Sequence, residues 1–150
     1  MTSALTTRRN ALFLGAACVA LPLVARAGTL PPLTVWKDAS CGCCGGWVRP
    51  MQAAGFSVTV HDTSDMAAIK RQRGVPDALQ SCHTAVIDSY VVEGHVPAAD
   101  VIRLLADRPE ARGVSAPGMP ASAPGMDQPG EPYTVVLFGT PAGDSVYATH

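Results

Sequence analysis

Three cysteines within four residues stand between a β-rich run and a helical pattern, and this junction constrains the fold more than any other feature. The motif is Cys41-Gly42-Cys43-Cys44. Residues 33–36 before it favour a strand, and the apolar residues after it recur at helical spacing until Gly55, which suits a helix end. A parallel β-α-β start requires a crossover helix and a sheet covered by helices.

The pattern beyond Gly55 extends this start into a longer series. Residues 56–60 alternate as in a strand, and a helix follows up to Gly74. Residues 84–87 and 90–93 favour two further strands, and Pro97 opens a helix that stops before Pro109. The order β-α-β-α-β-β-α, with the cysteines after the first strand, predicts an α/β fold of the thioredoxin/glutaredoxin type.

The C-terminal part differs in composition. Residues 109–130 are rich in Gly, Pro, Ser and Ala, and the sequence Ala-Pro-Gly-Met occurs there twice, at 116–119 and 123–126. We expect a long loop, functional or mobile, that carries two methionines. Residues 133–148 contain two strand-like runs around a Gly- and Pro-rich turn, which predicts a terminal β-hairpin.

The first 27 residues have the pattern of an export signal. Arg8 and Arg9 precede an uncharged apolar run, 11–24, which is shorter than the roughly 20 residues of a membrane-spanning helix. Residues 25–27 fit the small-x-small cleavage rule. We expect a periplasmic protein, exported by general secretion rather than the twin-arginine route, with no stable membrane insertion after cleavage.

The mature chain would be residues 28–150, a single domain. It carries 8 basic and 12 acidic residues, a net charge of −4, and has no basic stripe, which argues against nucleic acid as a partner. With Cys18 removed in the signal peptide, four cysteines remain in an oxidising compartment. Three within four residues indicate a site rather than a scattered disulfide framework.

One interpretation of that site is thiol–disulfide chemistry. The N–H groups and dipole at a helix N-terminus stabilise a thiolate, so Cys41 would attack and the more buried Cys44 would resolve. These two cysteines are the catalytic candidates if the site is redox-active. Cys43 argues against a dedicated thiol–disulfide exchange protein. A third thiol competes with Cys44 as a second resolving cysteine and promotes scrambling of the disulfides.

The other interpretation is a metal centre on Cys41, Cys43, Cys44 and the distant Cys82. Structural zinc favours two spaced Cys-x-x-Cys pairs, and iron–sulfur clusters generally use other spacings. Adjacent cysteines chelate one tetrahedral ion poorly but can each bridge two metals. Bridging thiolates and soft donors suit copper(I), which therefore leads among the metals, in the form of a cluster.

Two histidines and two methionines are weaker candidate ligands. His83 adjoins Cys82, but neighbours in a strand face opposite sides, so a histidine pointing away is as reasonable as a ligand. His95 lies in a turn between strand and helix that can approach the site. Met119 and Met126 offer thioethers, although packing of the loop onto the domain explains them more simply.

Four separated motifs resemble the CopG-type periplasmic copper-binding family, and the resemblance covers residues 33–150. They are Lys37-Asp38-x-x-Cys41-Gly42-Cys43-Cys44-x-x-Trp47, Ser81-Cys82-His83-Thr84-Ala85, Glu93-Gly94-His95-Val96-Pro97-Ala98 and Pro117-Gly118-Met119-Pro120. The resemblance implies a thioredoxin-like fold, copper bound by the four cysteines, and a role in copper resistance or homeostasis. Copper ions and other copper-homeostasis proteins are the implied partners. It leaves open whether the protein is an enzyme.

Overall fold

The structure, a computed structural model, describes residues 29–126 and 128–150. The predicted export signal, residues 1–27, lies outside the described residues. Within the described part, no helix has the length and apolar character needed to cross a membrane.

The described residues form a mixed α/β fold with three α-helices and a seven-stranded sheet. The helices are α1 (Gly42–Ala53), α2 (Met66–Arg73) and α3 (Ala98–Asp107), and a short 3₁₀ helix covers Asp77–Leu79. The strands are β1 (Leu33–Lys37), β2 (Val58–Asp62), β3 (His83–Ile87), β4 (Tyr90–Glu93), β5 (Gly113–Ser115), β6 (Thr134–Phe138) and β7 (Ser145–Thr149).

The strands follow the order β2-β1-β3-β4-β5-β6-β7 across the sheet. β1 runs parallel to β2, as the crossover through α1 requires, and β4 runs parallel to β5. All other neighbouring pairs in the sheet are antiparallel. In the pairing of β1 with β3, Lys37 lies opposite His83, so the end of β1 meets the beginning of β3.

Both faces of the sheet are covered. Residues of α1 and α3 pack with the side chains of Val35 and Val92 in the larger apolar cluster. α2 covers the opposite face, where its Lys70 donates a hydrogen bond to Thr84 of β3 at 3.2 Å. The helix that begins with the cysteine motif, α1, therefore packs on the same face of the sheet as α3.

Local sequence explains where the helices begin and end. Asp65 precedes α2, and its carboxylate accepts a hydrogen bond from the Ala68 N–H at 2.9 Å, which satisfies one free donor of the first turn. Gly74 ends the same helix in a left-handed conformation, with φ of 70°. Pro97 precedes α3, as the sequence predicts.

The predicted element order is confirmed as far as α3, and so is the terminal hairpin, which β6 and β7 form. The long loop needs correction. Residues 113–115 within it form β5, which pairs with both β4 and β6 and so joins the hairpin to the main sheet. A three-residue strand is too short to show a two-residue period, and the Gly- and Pro-rich composition around it conceals it.

The rest of that loop lies against α1 through two glycines. A side chain at Gly46 would overlap the carbonyl oxygen of Gly125, and one at Gly125 would overlap the backbone of Gly46 and Trp47. Gly125 also has a φ of 84°, a conformation that other residues rarely adopt. The loop therefore lies in close backbone contact with the helix that carries the cysteines at Gly125.

We expect Gly46→Ala to lower the free energy of unfolding by about 1–3 kcal/mol, because the added methyl group must push the backbone of Gly125 away. The matched control is Gly45→Ala in the same helix, where nothing lies within 4 Å of the added carbon. This control should be neutral or stabilise by about 0.5–1 kcal/mol. Urea unfolding of both variants measures the difference, and equal stability would contradict the close contact.

Candidate metal centre

The cysteine motif begins at the first residue before α1. Cys41 is the N-cap residue, with φ of −74° and ψ of 94°, and no side chain caps the helix there. Cys43 and Cys44 lie in the first turn, where backbone N–H groups have no partner within the helix. Such donors and the helix dipole favour negative charge, which is the basis of the prediction that a thiolate forms at this position. Cys44 is fully buried, while Cys41 and Cys43 are partly exposed.

Cys41 and Cys44 form a disulfide, with their Cα atoms 5.6 Å apart. Cys43 and Cys82 remain as thiols among the described cysteines. The Cys43 sulfur lies 3.6 Å from that of Cys41 and 4.0 Å from that of Cys82. The four cysteine sulfurs lie within 4.8 Å of one another, so the structure brings together the full cysteine set predicted from the sequence.

Cys82 reaches the motif because of strand register. Since Lys37 and His83 are opposite one another in β1 and β3, the residue before His83 lies beside the loop that leads from β1 into α1. Cys82 is in a bend rather than in the strand itself. The antiparallel pairing of β1 with β3 therefore brings Cys82 close to Cys43, although the two are 39 residues apart in the sequence.

Two buried histidines flank the Cys82 sulfur. His83 Nδ1 lies 3.3 Å from it, and His95 Nε2 lies 3.2 Å from it. The sequence leaves the direction of the His83 side chain open, and in the structure its ring faces the Cys82 sulfur. This is possible because Cys82 precedes the strand, so the alternation of side chains does not extend to it. The structure thus forms a second group of possible ligands, Cys82, His83 and His95.

A main-chain carbonyl sets the tautomer of His95. The carbonyl oxygen of Pro124 lies 2.8 Å from His95 Nδ1 and can only accept, so Nδ1 carries the proton. Nε2 then presents a lone pair to Cys82, which suits a metal ligand or an acceptor for the thiol proton. His83 Nε2 has no hydrogen-bond partner among the described residues, although it is buried.

Burial keeps these groups uncharged. Burial first, and the adjacent Cys43 second, raise the pKa of Cys82 to about 12. Burial first, then the charges of His95 and Lys70, lower the pKa of His83 to about 3. Burial also lowers the pKa of His95. A cation that binds here must displace the Cys82 proton but meets imidazoles that already have free lone pairs.

The loop after β5 forms one wall of the site. Met119 is 60% exposed and lines an open pocket together with Cys82 and Gly118. Met126 lies in a turn, where its N–H donates to the Ala123 carbonyl, and is not among the residues that line this pocket. Of the two candidate methionines, the structure therefore places Met119 near the sulfurs.

The structure contains a buried ion pair near Cys82 that the sequence patterns do not predict. Lys70 of α2 pairs with Glu93 of β4, and both side chains are almost completely shielded from solvent. The only signal in the sequence is a charged residue that ends the apolar run 90–92, in a strand covered on both faces. The partner and the direction of the carboxylate depend on tertiary packing.

The spacing of the sulfurs suits soft metal ions. For a metal–sulfur bond of about 2.3 Å, as in zinc thiolates, two sulfurs on one tetrahedral ion lie about 3.8 Å apart. The distances from Cys43 to Cys41 and Cys82 bracket this value. Both distances would allow the Cys43 sulfur to share an ion with either neighbour once the Cys41–Cys44 disulfide is reduced.

Residues 79–126 match the family described as "Protein of unknown function, DUF411". Two solved structures, "Copper resistance protein copG" in Form 1 and Form 2, each match with a TM-score of 0.75 and 44% sequence identity, over 81% of this chain and 98% of theirs. This chain belongs to the CopG family. The CopG resemblance predicted from the four motifs is thereby confirmed. No curated protein matches the chain.

The histidine buried in this CopG family site should make the protein sensitive to acid. A histidine in an unfolded chain titrates near ~6.5, whereas the pKa of His83 is about 3 in the fold. Between these values the unfolded chain binds more protons, so the free energy of unfolding decreases as the pH falls from about 6.5 towards 3. His83→Phe keeps a ring against Trp47 and removes this titration.

Urea unfolding across that pH range should give a shallower acid slope for His83→Phe than for the wild type. His95 contributes a slope of the same sign, so part of the dependence should remain. Equal slopes in the two proteins would contradict the assignment of acid sensitivity to His83.

Proposed function

We propose that this protein binds copper(I) through the thiolates of Cys41, Cys43, Cys44 and Cys82, in copper resistance or homeostasis. The convergence of four sulfurs within 4.8 Å carries the proposal. Soft thiolate donors select copper(I) over harder ions. The relatives of known structure are named copper resistance proteins, which supports copper as the cargo.

The number of sulfurs and their spacing favour a multi-copper thiolate cluster. Cys43 is the bridging candidate, since it lies between Cys41 and Cys82. His95 and His83 are the weaker ligands, through the nitrogens that face Cys82, and Met119 is a further donor at the open pocket. Met126 would serve only if the loop rearranged.

The proposal includes a compartment and a fold type. The order β1-α1-β2-α2-β3-β4-α3, with the Cys-x-x-Cys pair at the start of α1, supports a thioredoxin-like core that β5, β6 and β7 extend. We place the mature protein in the periplasm, on the basis of the signal pattern in residues 1–27. Copper ions, and other proteins of copper homeostasis, would be its partners.

Redox cycling of copper is compatible with the Cys41–Cys44 disulfide. Two copper(II) ions would each take one electron from the thiolates of Cys41 and Cys44, which then join as the disulfide and leave two copper(I) ions. In reverse, two copper(I) ions supply the two electrons that break the S–S bond and restore both thiolates. Cys43 and Cys82, which are free in the disulfide form, could hold copper in either direction.

Anaerobic loading of the reduced protein tests the cluster. We expect more than one copper(I) ion per chain, and a smaller number in Cys43→Ser and in Cys82→Ser, because each variant removes a shared sulfur. Met126→Leu is the matched control and should bind as the wild type does, since Met126 is not in the pocket with Cys82. Metal analysis gives the ratio, and one ion or none per wild-type chain would overturn the cluster.

The disulfide also supports a second candidate, a thiol–disulfide oxidoreductase with Cys41 as nucleophile and Cys44 as resolver. An enzyme of this kind would keep its exchange rate in Cys43→Ser and Cys82→Ser and lose it in Cys41→Ser. We instead expect Cys43→Ser and Cys82→Ser to bind less copper than the wild type. We also expect slow disulfide exchange by the wild type, because the Cys43 thiol competes with Cys44 for a mixed disulfide at Cys41. An insulin-reduction assay beside copper loading distinguishes the two functions.

A further inference from the structure

A single buried carboxylate binds the backbone that leads into Cys82. Oε1 of Glu93 accepts a hydrogen bond from the Ser81 N–H at 2.7 Å and pairs with the Lys70 ammonium. Oε2 accepts a hydrogen bond from the Thr84 hydroxyl at 2.7 Å, and Lys70 also donates to that hydroxyl at 3.2 Å. Both oxygens of a fully buried carboxylate therefore have partners.

Stability alone is a weak explanation for this arrangement. Removing two charges from water costs several kcal/mol per ion, and apolar replacements of buried ion pairs are often neutral or stabilising. Glu93 differs from a simple pair partner in one respect. One of its bonds goes to the main chain of Ser81, the residue directly before a candidate copper ligand.

The segment around Ser81 has little other regular structure to hold it. Residues 80–82 precede β3, and Ser81 forms an isolated bridge with Gly118. The Ser81 hydroxyl donates to the Gly118 carbonyl, and the Gly118 N–H donates to the Gln80 carbonyl at 3.0 Å. These bonds tie the segment to the loop on one side, while Glu93 fixes it to the sheet on the other.

The Cys82 sulfur requires such a fixed position. It lies 4.0 Å from Cys43, 3.3 Å from His83 Nδ1 and 3.2 Å from His95 Nε2. Because Cys82 follows Ser81 directly, a displacement of the Ser81 N–H moves the Cys82 Cα and hence all three distances. A site that shares metal between sulfurs tolerates such a movement poorly.

We propose that Glu93 is a positioning residue for the copper site, which holds Cys82 at bridging distance from Cys43 through its bond to the Ser81 N–H. That this position serves a copper site rests on the proposed function. That Glu93 determines the separation of the Cys43 and Cys82 sulfurs does not depend on copper. Lys70 then serves to keep the buried carboxylate in place.

Two variants separate the hydrogen-bond acceptor from the charge. Glu93→Asp keeps the negative charge for Lys70 but withdraws the acceptor from Ser81 by one methylene group. The double variant Lys70→Met with Glu93→Gln removes both charges but keeps an amide oxygen where the Ser81 N–H needs it. Urea unfolding of each variant accompanies the measurements, so that loss of fold is recognised.

The copper measurement is a competitive titration of the exported, reduced protein with copper(I), together with its ultraviolet copper–thiolate absorption. We expect Glu93→Asp to lower the affinity about tenfold and to alter the absorption. The double variant should match the wild type in both. Wild-type behaviour of Glu93→Asp, or an equal loss in both variants, would overturn the positioning role, because charge or stability would then explain the pair.

A metal-free measurement keeps the inference independent of the proposed function. In the Cys41–Cys44 disulfide form, a short bifunctional thiol reagent should react first with Cys43 and then slowly with Cys82, which is largely protonated, and mass spectrometry reports the bridged fraction over time. Bridging should be slower in Glu93→Asp and unchanged in the double variant, and equal rates in all three proteins would overturn the inference. If the wild type binds no copper(I), the proposed function fails, while the bridging rates still decide the role of Glu93.

Discussion

The antiparallel register of β1 with β3 is the constraint on which the site depends. It places His83 opposite Lys37, and so it brings Cys82 to the loop where the cysteine motif begins. A shift by one residue would turn the side chains of β3 to the other face of the sheet. His83 would then lie on the other face of the sheet, and the bend that carries Cys82 would be displaced from the loop where the cysteine motif begins.

Around that junction the fold assembles donors that carry little charge before a metal arrives. The thiol of Cys82 keeps its proton because its pKa is about 12, and the low pKa of His83 leaves its ring neutral. Neutral groups are less costly to bury than ions, so these donors can be shielded from water without ionic partners of their own. Copper binding would then release a proton from Cys82, which links affinity for the metal to pH.

Local patterns were sufficient to predict much of the fold. The helix after Cys41, the end of α2 at Gly74, and the terminal hairpin follow from residue types over a few positions. The cap of α2 does not, because several polar residues before Met66 could fill that position and the structure uses Asp65. β5 was not predictable, because a three-residue strand has no visible period and its pairing is decided by distant partners.

The sequence predicts which cysteines form the candidate site, but it predicts less well how the neighbouring histidines are oriented towards them. The number and type of the four cysteines indicate one set, and the structure brings them together. The approach of His83 to Cys82 depends on a bend at the start of β3, and the tautomer of His95 depends on a carbonyl contributed by Pro124. Neither contact can be predicted from residue spacing, because both form when separate parts of the chain pack together.

The two glycines of the repeated Ala-Pro-Gly-Met sequence both attach the loop to other parts of the fold. Gly118 is bound to Gln80 and Ser81 on one wall of the site, and Gly125 lies against Gly46 on the other. The chain between them spans the two walls with both ends fixed. Insertions or deletions between the two glycines should therefore be rare among relatives, whereas length variation should accumulate after residue 126, where neither attachment is affected.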